Sequence, residues 1–167
     1  MDYTIRPYRH GEEEYVAQLH ERLYPEEQSW GTEFTDYAAA IPRSFAKKEK
    51  NDREELYVAE KDGRLIGCIM LCGTEDPRVG QLRVFAVEKE YRRRGIGAAL
   101  LQTAMDKAKS AGYGKLILWT ADAAAAALHK YEKLGFRTVE TKENRSWDPD
   151  GKAVKEMKME MCIQQER

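Results

Sequence analysis

The spacing of apolar residues changes period several times along the chain, and each change predicts an element. Tyr3–Tyr8 reads as a short first strand, which Pro7 confines to a sheet edge or to the strand's end. From Glu12 to Tyr24 the apolar positions Tyr15, Val16, Leu19 and Leu23 recur at helical spacing, and Pro25 stops that helix. A second helix covers about Thr32 to Lys48, with Phe34, Tyr37, Ala38, Ile41 and Phe45 on one side. Pro42 inside it predicts a kink or a break, because proline lacks the N–H and its ring meets the preceding turn. Residues 47–55 contain no apolar side chain and read as a solvated connector.

Two β-rich runs, Leu56–Glu60 and Arg64–Leu71, then flank Lys61-Asp62-Gly63, a hairpin signal. A third β run covers Val79–Val87. The period switches sharply after it. Ile96, Leu100, Leu101, Ala104, Met105 and Ala108 share one face of a helix that closes at Gly112. Lys115–Thr120 has the pattern of a buried strand, and Asp122–Leu134 that of an alanine-rich helix closed by Gly135. In the last strand Met157, Met159, Met161 and Ile163 alternate with Lys158, Glu160 and Cys162. A hairpin-rich first half followed by βαβα predicts a mixed α/β (α+β) sheet with helices on it.

Composition narrows the class. The 167 residues, 42% of them hydrophobic, suffice for a real core and predict one domain over residues 1–167. Three cysteines, Cys68, Cys72 and Cys162, exclude a disulfide framework and lack zinc-site spacing, so no metal is expected and a reducing, cytoplasmic setting is. No apolar run is long enough to span a membrane, and the first residues have no signal pattern. A net charge of −1 argues against a general nucleic-acid binder. That average hides an asymmetry. Residues 1–91 carry 19 acidic and 13 basic side chains, a net −6, whereas residues 92–167 carry 10 and 15, a net +5. Such a split suits an anionic ligand on one half and a cationic one on the other, unless both are simply solvated surfaces.

The chemistry concentrates in Val84–Leu101, where a strand enters a short basic turn with two glycines and a helix opens at once. The first amides of a helix have no internal acceptor and lie at the positive end of its dipole. Gly95 and Gly97 lack the Cβ atoms that would shield those amides, and Arg92, Arg93 and Arg94 add positive potential. That combination suits a pyrophosphate. The spacing matches neither a Walker A loop nor a dinucleotide-binding fingerprint. A glycine turn that merely starts a helix, with solvated arginines, would look the same.

Arg92-x-x-Gly95-x-Gly97, following the strand Leu82–Val87, resembles the Q/R-x-x-G-x-G/A motif of the GNAT superfamily of acetyltransferases. Ala127-Leu128-His129-Lys130-Tyr131-Glu132-Lys133-Leu134-Gly135-Phe136 is similar to its A-x-x-x-Y-E-K-x-G-F element. Leu23–Phe34, Ala111–Thr120 and Arg145-Ser146-Trp147 look like the acetyltransferase domain fused to MarR-type regulators in some bacteria. The chain opens at the first acetyltransferase strand, so no winged helix, and no DNA binding, is expected. The resemblance implies a mostly antiparallel sheet of about seven strands flanked by about four helices. It also implies acetyl-CoA as co-substrate and a primary amine, small or on a protein, as acceptor. Phe85, Ala86 and Val87 would pair with the pantetheine arm, and Arg92, Arg93, Arg94, Gly95, Ile96, Gly97 and Ala98 would take the pyrophosphate. Tyr131 matches the tyrosine that protonates the departing thiolate, a role open to a phenol; its spacing with Leu128 and Leu134 also fits a core residue.

Two positions depart from the family pattern. Ala124 stands where many relatives carry asparagine, and the nearby Asp122 reads as a helix N-cap. Gln81 and Arg83 occupy the strand positions where many relatives carry a carboxylate base. The base is then Glu27 or Glu33, or a chain of waters. Trp30, Phe34 and Tyr37 would frame the acceptor. A covalent acyl-cysteine is conceivable at Cys68 or Cys72, but direct transfer in a ternary complex fits the family better. His10, His20 and His129 show no ligand spacing. Two other classes stay open: an acyl-CoA sensor without chemistry, and a phosphate-binding domain of another kind. The sequence leaves the oligomeric state open; dimers are common in the family it resembles, and the Met-rich last strand could help form a homodimer.

Overall fold

The computed structural model describes residues 2–28, 31–49, 51–121 and 125–163. Within them lie seven strands and four helices: β1 (Thr4–Pro7), α1 (Glu13–Gln28), α2 (Thr32–Lys47), β2 (Glu55–Lys61), β3 (Arg64–Gly73), β4 (Val79–Val87), α3 (Ile96–Ser110), β5 (Lys115–Ala121), α4 (Ala125–Leu134), β6 (Arg137–Asn144) and β7 (Val154–Cys162). The strands form one sheet in the order β1-β2-β3-β4-β5-β7-β6. Every neighbouring pair is antiparallel except β4 with β5. This is the mixed, mostly antiparallel architecture expected.

Local chemistry accounts for most elements. The β2–β3 turn has positive φ at both Asp62 (50°) and Gly63 (77°), the pair of values an Asp-Gly hairpin turn needs. Pro7 ends an edge strand, where its missing N–H leaves no ladder bond unmade. The apolar stripe of α3 is fully used: Ile96, Leu100, Leu101, Ala104, Met105 and Ala108 are all buried against one face of the sheet. The other face is covered by α1 through Val16, Leu19 and Leu23, packed on Leu56, Val58, Cys68 and Met70.

Four expectations change. The helix of α1 continues past Pro25 to Gln28; so close to the helix's end, the missing N–H removes one bond and little helix remains beyond it to disrupt. Pro42 lies inside α2 without ending it. The charged segment before β2 is not wholly solvated, because Glu54 and Glu55 are buried. Glu54 accepts a hydrogen bond from the Gly73 amide at 2.7 Å and pairs with Lys48, tying the connector to the end of β3. The strand β6 was not anticipated, since its residues alternate between no two environments: Arg137–Glu143 are all exposed. It exists because β7 offers it an edge from Arg137↔Glu160 to Asn144↔Val154. That places β7 inside the sheet, with Met157 and Met159 buried, so the edge opposite β1 is β6 and not the methionine strand.

Candidate active site

The parallel pairing of β4 with β5 covers only Val79–Gln81 against Lys115–Ile117. Beyond those three pairs β4 runs on to Val87 and β5 to Ala121. Among the described residues, the later backbone of β4 thus has β3 on one side and no strand on the other. A linear amide-bearing chain can take up such an open edge by hydrogen bonding to it. Phe85, Ala86 and Val87 all belong to this stretch.

Inside the stretch β4 carries an extra residue. Met70 pairs with Arg83 and Cys68 with Ala86, so Val84 and Phe85 together face Ile69. Val84 adopts φ 47°, a left-handed value that a β-branched residue takes only under constraint. The bulge shifts the side-chain phase. Leu82 faces the α3 side, and strict alternation would send Val84 there too. Instead Phe85 and Val87 pack with the α3 core, while Val84 and Ala86 pack with the α1 core.

The displaced Phe85 joins three regions. Its ring lies 6.4 Å from that of Tyr131, centroid to centroid. Its Cζ is 3.3 Å from where a Cβ on Gly97 would stand. A side chain at Gly97 would therefore press on the Phe85 ring. The turn after β4 then passes through a 3-10 turn at Lys89–Tyr91 and reaches Gly95 at φ 84°, where a Cβ would meet nothing within 4 Å. The first bond into α3 runs from the Ala99 amide to the Gly95 carbonyl at 3.0 Å, so the Ile96, Gly97 and Ala98 amides precede it. Ile96, fully buried, anchors that end. Arg92 donates from Nε to the Val87 carbonyl at 3.0 Å, Arg93 takes φ 63°, and Arg94 stacks 5.8 Å from the Tyr91 ring. The turn can accept an anion at backbone amides, with guanidinium groups around it.

Tyr131 is nearly buried, 9% exposed, and packs edge-on to Phe136 at 6.0 Å. Its position is set by the end of α4. Gly135 has φ 110°, and the Phe136 amide donates back to the Tyr131 carbonyl at 3.0 Å, a Schellman closure. Gly135 also lies against Met161, whose Sδ would be 3.3 Å from an added Cβ. The Gly-Phe pair thus fixes the turn that presents the tyrosine.

On the opposite sheet face, Arg83 Nη2 donates to the Tyr37 hydroxyl at 3.2 Å. Tyr37 is 54% exposed, but Phe34 is buried and packs edge-on at 4.5 Å against Trp147 from the segment before β7. Phe34 is thus packing rather than pocket wall. Glu27 and Glu33 lie on α1 and α2, but their side chains fall outside the described residues, as do Trp30, Asp122 and Ala124. Cys68 is fully buried and donates to the Val84 carbonyl at 3.1 Å; burial pushes its thiol up to about 12. Burial also raises the Cys72 thiol. Neither is a ready nucleophile. His20 is buried with Nδ1 2.8 Å from the Val16 carbonyl, and desolvation lowers its pKa, so it is neutral. Among the described residues no group of three or more His, Cys, Asp or Glu could hold a metal ion.

Glu88 is a residue that sequence reasoning passed over. It follows β4 directly and accepts from Tyr15 at 3.1 Å and from Arg22 at 2.7 Å. Burial works to raise its pKa, but the Arg22 guanidinium and the Tyr15 hydroxyl outweigh that and hold it below the usual carboxylate range. The group ties α1 to the start of the anion turn. Its only sequence signal is a lone acid at a strand end, which is too common to single out.

Residues 12–136 match the acetyltransferase (GNAT) family. The chain is 34% identical over 103 residues to N-acetyltransferase family 8 member 3 of Rattus norvegicus, which covers 59% of this chain and 44% of that protein. It spans about half or less of the length of the first curated relatives it matches. Among solved structures, a GNAT-family acetyltransferase from Streptococcus pneumoniae superposes with a TM-score of 0.78 at 21% identity, covering 98% of this chain and 100% of that one. A GNAT-family acetyltransferase from Elizabethkingia anophelis with acetyl-CoA bound superposes with a TM-score of 0.65 at 22% identity, covering 96% and 98%.

Proposed function

The chain belongs to the acetyltransferase (GNAT) family, and from that premise we propose that it is an N-acetyltransferase moving an acetyl group from acetyl-CoA to a primary amine by direct attack in a ternary complex. The observation that carries this reading is the convergence on Phe85. One bulged residue brings the open edge of β4, the amide turn before α3 and Tyr131 into contact. The open β4 edge would hold the pantetheine arm, and the amides of Ile96, Gly97 and Ala98 the pyrophosphate. When bound, acetyl-CoA supplies the carbonyl that the amine attacks and the thiolate that leaves. Tyr131 moves its phenolic proton to that sulfur, in a site that the Phe85 and Phe136 rings keep apolar. The amine must first lose a proton, and Glu27 or Glu33, or a chain of waters, takes it. Buried, protonated Cys68 and Cys72 favour direct transfer over an acyl-cysteine. The same reading keeps the likeness to MarR-fused acetyltransferase domains and places the protein in a reducing, cytoplasmic setting. A homodimer would form through a surface other than β7.

The second reading is a CoA-binding sensor without turnover, favoured by the absence of a carboxylate at Gln81 and Arg83 on β4. A panel of primary amines with acetyl-CoA, monitored by free-thiol release, separates the two. Amine-dependent thiol release supports the transferase. CoA binding with no release on any amine would favour the sensor.

A further inference from the structure

The guanidinium of Arg83 is placed in a way the fold does not need. Most arginines that lean on the body of the molecule have an acid: Arg6 pairs with Glu12 and Glu60, Arg22 with Glu88, Arg43 with Glu14 and Glu21, and Arg137 with Glu160. Arg83 has no carboxylate partner among the described residues. It stands on an inner strand, half-buried, and its neighbours are the Tyr37 hydroxyl at 3.2 Å and, across the ladder from Gln81, the neutral thiol of Cys72. A guanidinium held over an inner strand with only a hydroxyl and a thiol beside it is open to an anion, and its planar fork matches a carboxylate. Its place is specific as well. Arg83 is the residue just before the bulge, beyond the last β4–β5 pair at Gln81, on the face covered by α1 and α2. One residue, the bulged Val84, separates it from Phe85, at most about 7 Å along the strand.

We infer that Arg83, oriented by Tyr37, binds a carboxylate on the acceptor, so that the amine acetylated belongs to an amino acid or a similar zwitterion rather than to a polyamine. This rests on the transferase reading above. It also recasts the missing strand carboxylate: a family position that many relatives use for a base here supplies an anion clamp.

The experiment compares amino acids with their C-terminal carboxamides as acceptors, with saturating acetyl-CoA and thiol release as the signal. The amide keeps the amine and the side chain and removes only the negative charge. For the favoured acceptor the wild-type protein should show kcat/KM at least about 10-fold higher for the acid than for the amide, the size expected of a charge-assisted hydrogen-bonded pair. In Arg83→Gln that ratio should fall to about one, with CoA affinity unchanged. Arg83→Lys, which keeps the charge and loses the fork, should fall between, and it carries the comparison if Arg83→Gln fails to fold. Turnover with a wild-type ratio near or below one, or a ratio that Arg83→Gln and Arg83→Lys leave untouched, overturns the inference while the transferase reading stands. CoA binding without thiol release on any acid or amide overturns the inference, and the same silence across the wider panel of primary amines, polyamines included, overturns the transferase reading itself.

Discussion

At the scale of single residues, Tyr131, Glu88 and Cys68 make separate claims. If Tyr131 donates its proton to sulfur, Tyr131→Phe keeps the ring packing on Phe85 and Phe136 and removes only the hydroxyl. Its kcat should fall about 100-fold with CoA affinity held, which steady-state kinetics and calorimetry can check. Glu88 makes a claim about pH. Its folded pKa lies below the ordinary value of 4.5, so its contribution is complete above that value and is lost as pH falls through the folded pKa. Replacing it with glutamine should cost about 1–2 kcal/mol at neutral pH, discounted because Arg22 is half-exposed, and should flatten the acid side of the stability profile in chemical denaturation. The thiols should sort by burial. Cys162, exposed, should react readily with a thiol reagent at pH 8, whereas Cys68 and Cys72 should react only after unfolding.

At the scale of elements, the two glycines of the anion turn carry different physics. Gly95→Ala meets open space but forces a Cβ into a left-handed conformation, a cost of about 1–2 kcal/mol in thermal unfolding. Gly97→Ala sits in a helix that tolerates alanine, yet it presses on Phe85. It should leave stability within about 1 kcal/mol and raise the KM for acetyl-CoA. The contrast shows what was legible in the sequence. Asp62-Gly63, the stripe of α3 and the basic glycine turn were readable because each is set by neighbours in the chain. The bulge at Val84 was not, because Val-Phe-Ala-Val reads as an uninterrupted strand and its phase shift appears only against β3. The strand β6 was hidden for a similar reason, being stabilised by its pairing with β7 and not by a buried side. At the site, the turn and Tyr131 were readable as motifs, whereas Phe85 as their meeting point was not.

At the scale of the whole molecule, the charge split takes on a narrower meaning. The acidic half satisfies much of its own charge, through Arg6 with Glu12 and Glu60, Arg22 with Glu88, and Arg43 with Glu14 and Glu21. The basic half begins at Arg92, in the anion turn, where Arg93 is exposed. Raising the salt should therefore increase the KM for acetyl-CoA more than that for the acceptor, since exposed charges are the ones that salt screens. Equal insensitivity would return the split to two solvated surfaces. If one bulge assembles a cofactor cleft, an anion turn and a proton donor, a crystal structure with CoA bound will show all three together. The pantetheine arm is expected along Phe85–Val87 in the opening between β4 and β5, the pyrophosphate on the amides of Ile96–Ala98, and the sulfur within hydrogen-bond reach of the Tyr131 hydroxyl. CoA seated elsewhere, or a sulfur out of reach of Tyr131, would contradict it.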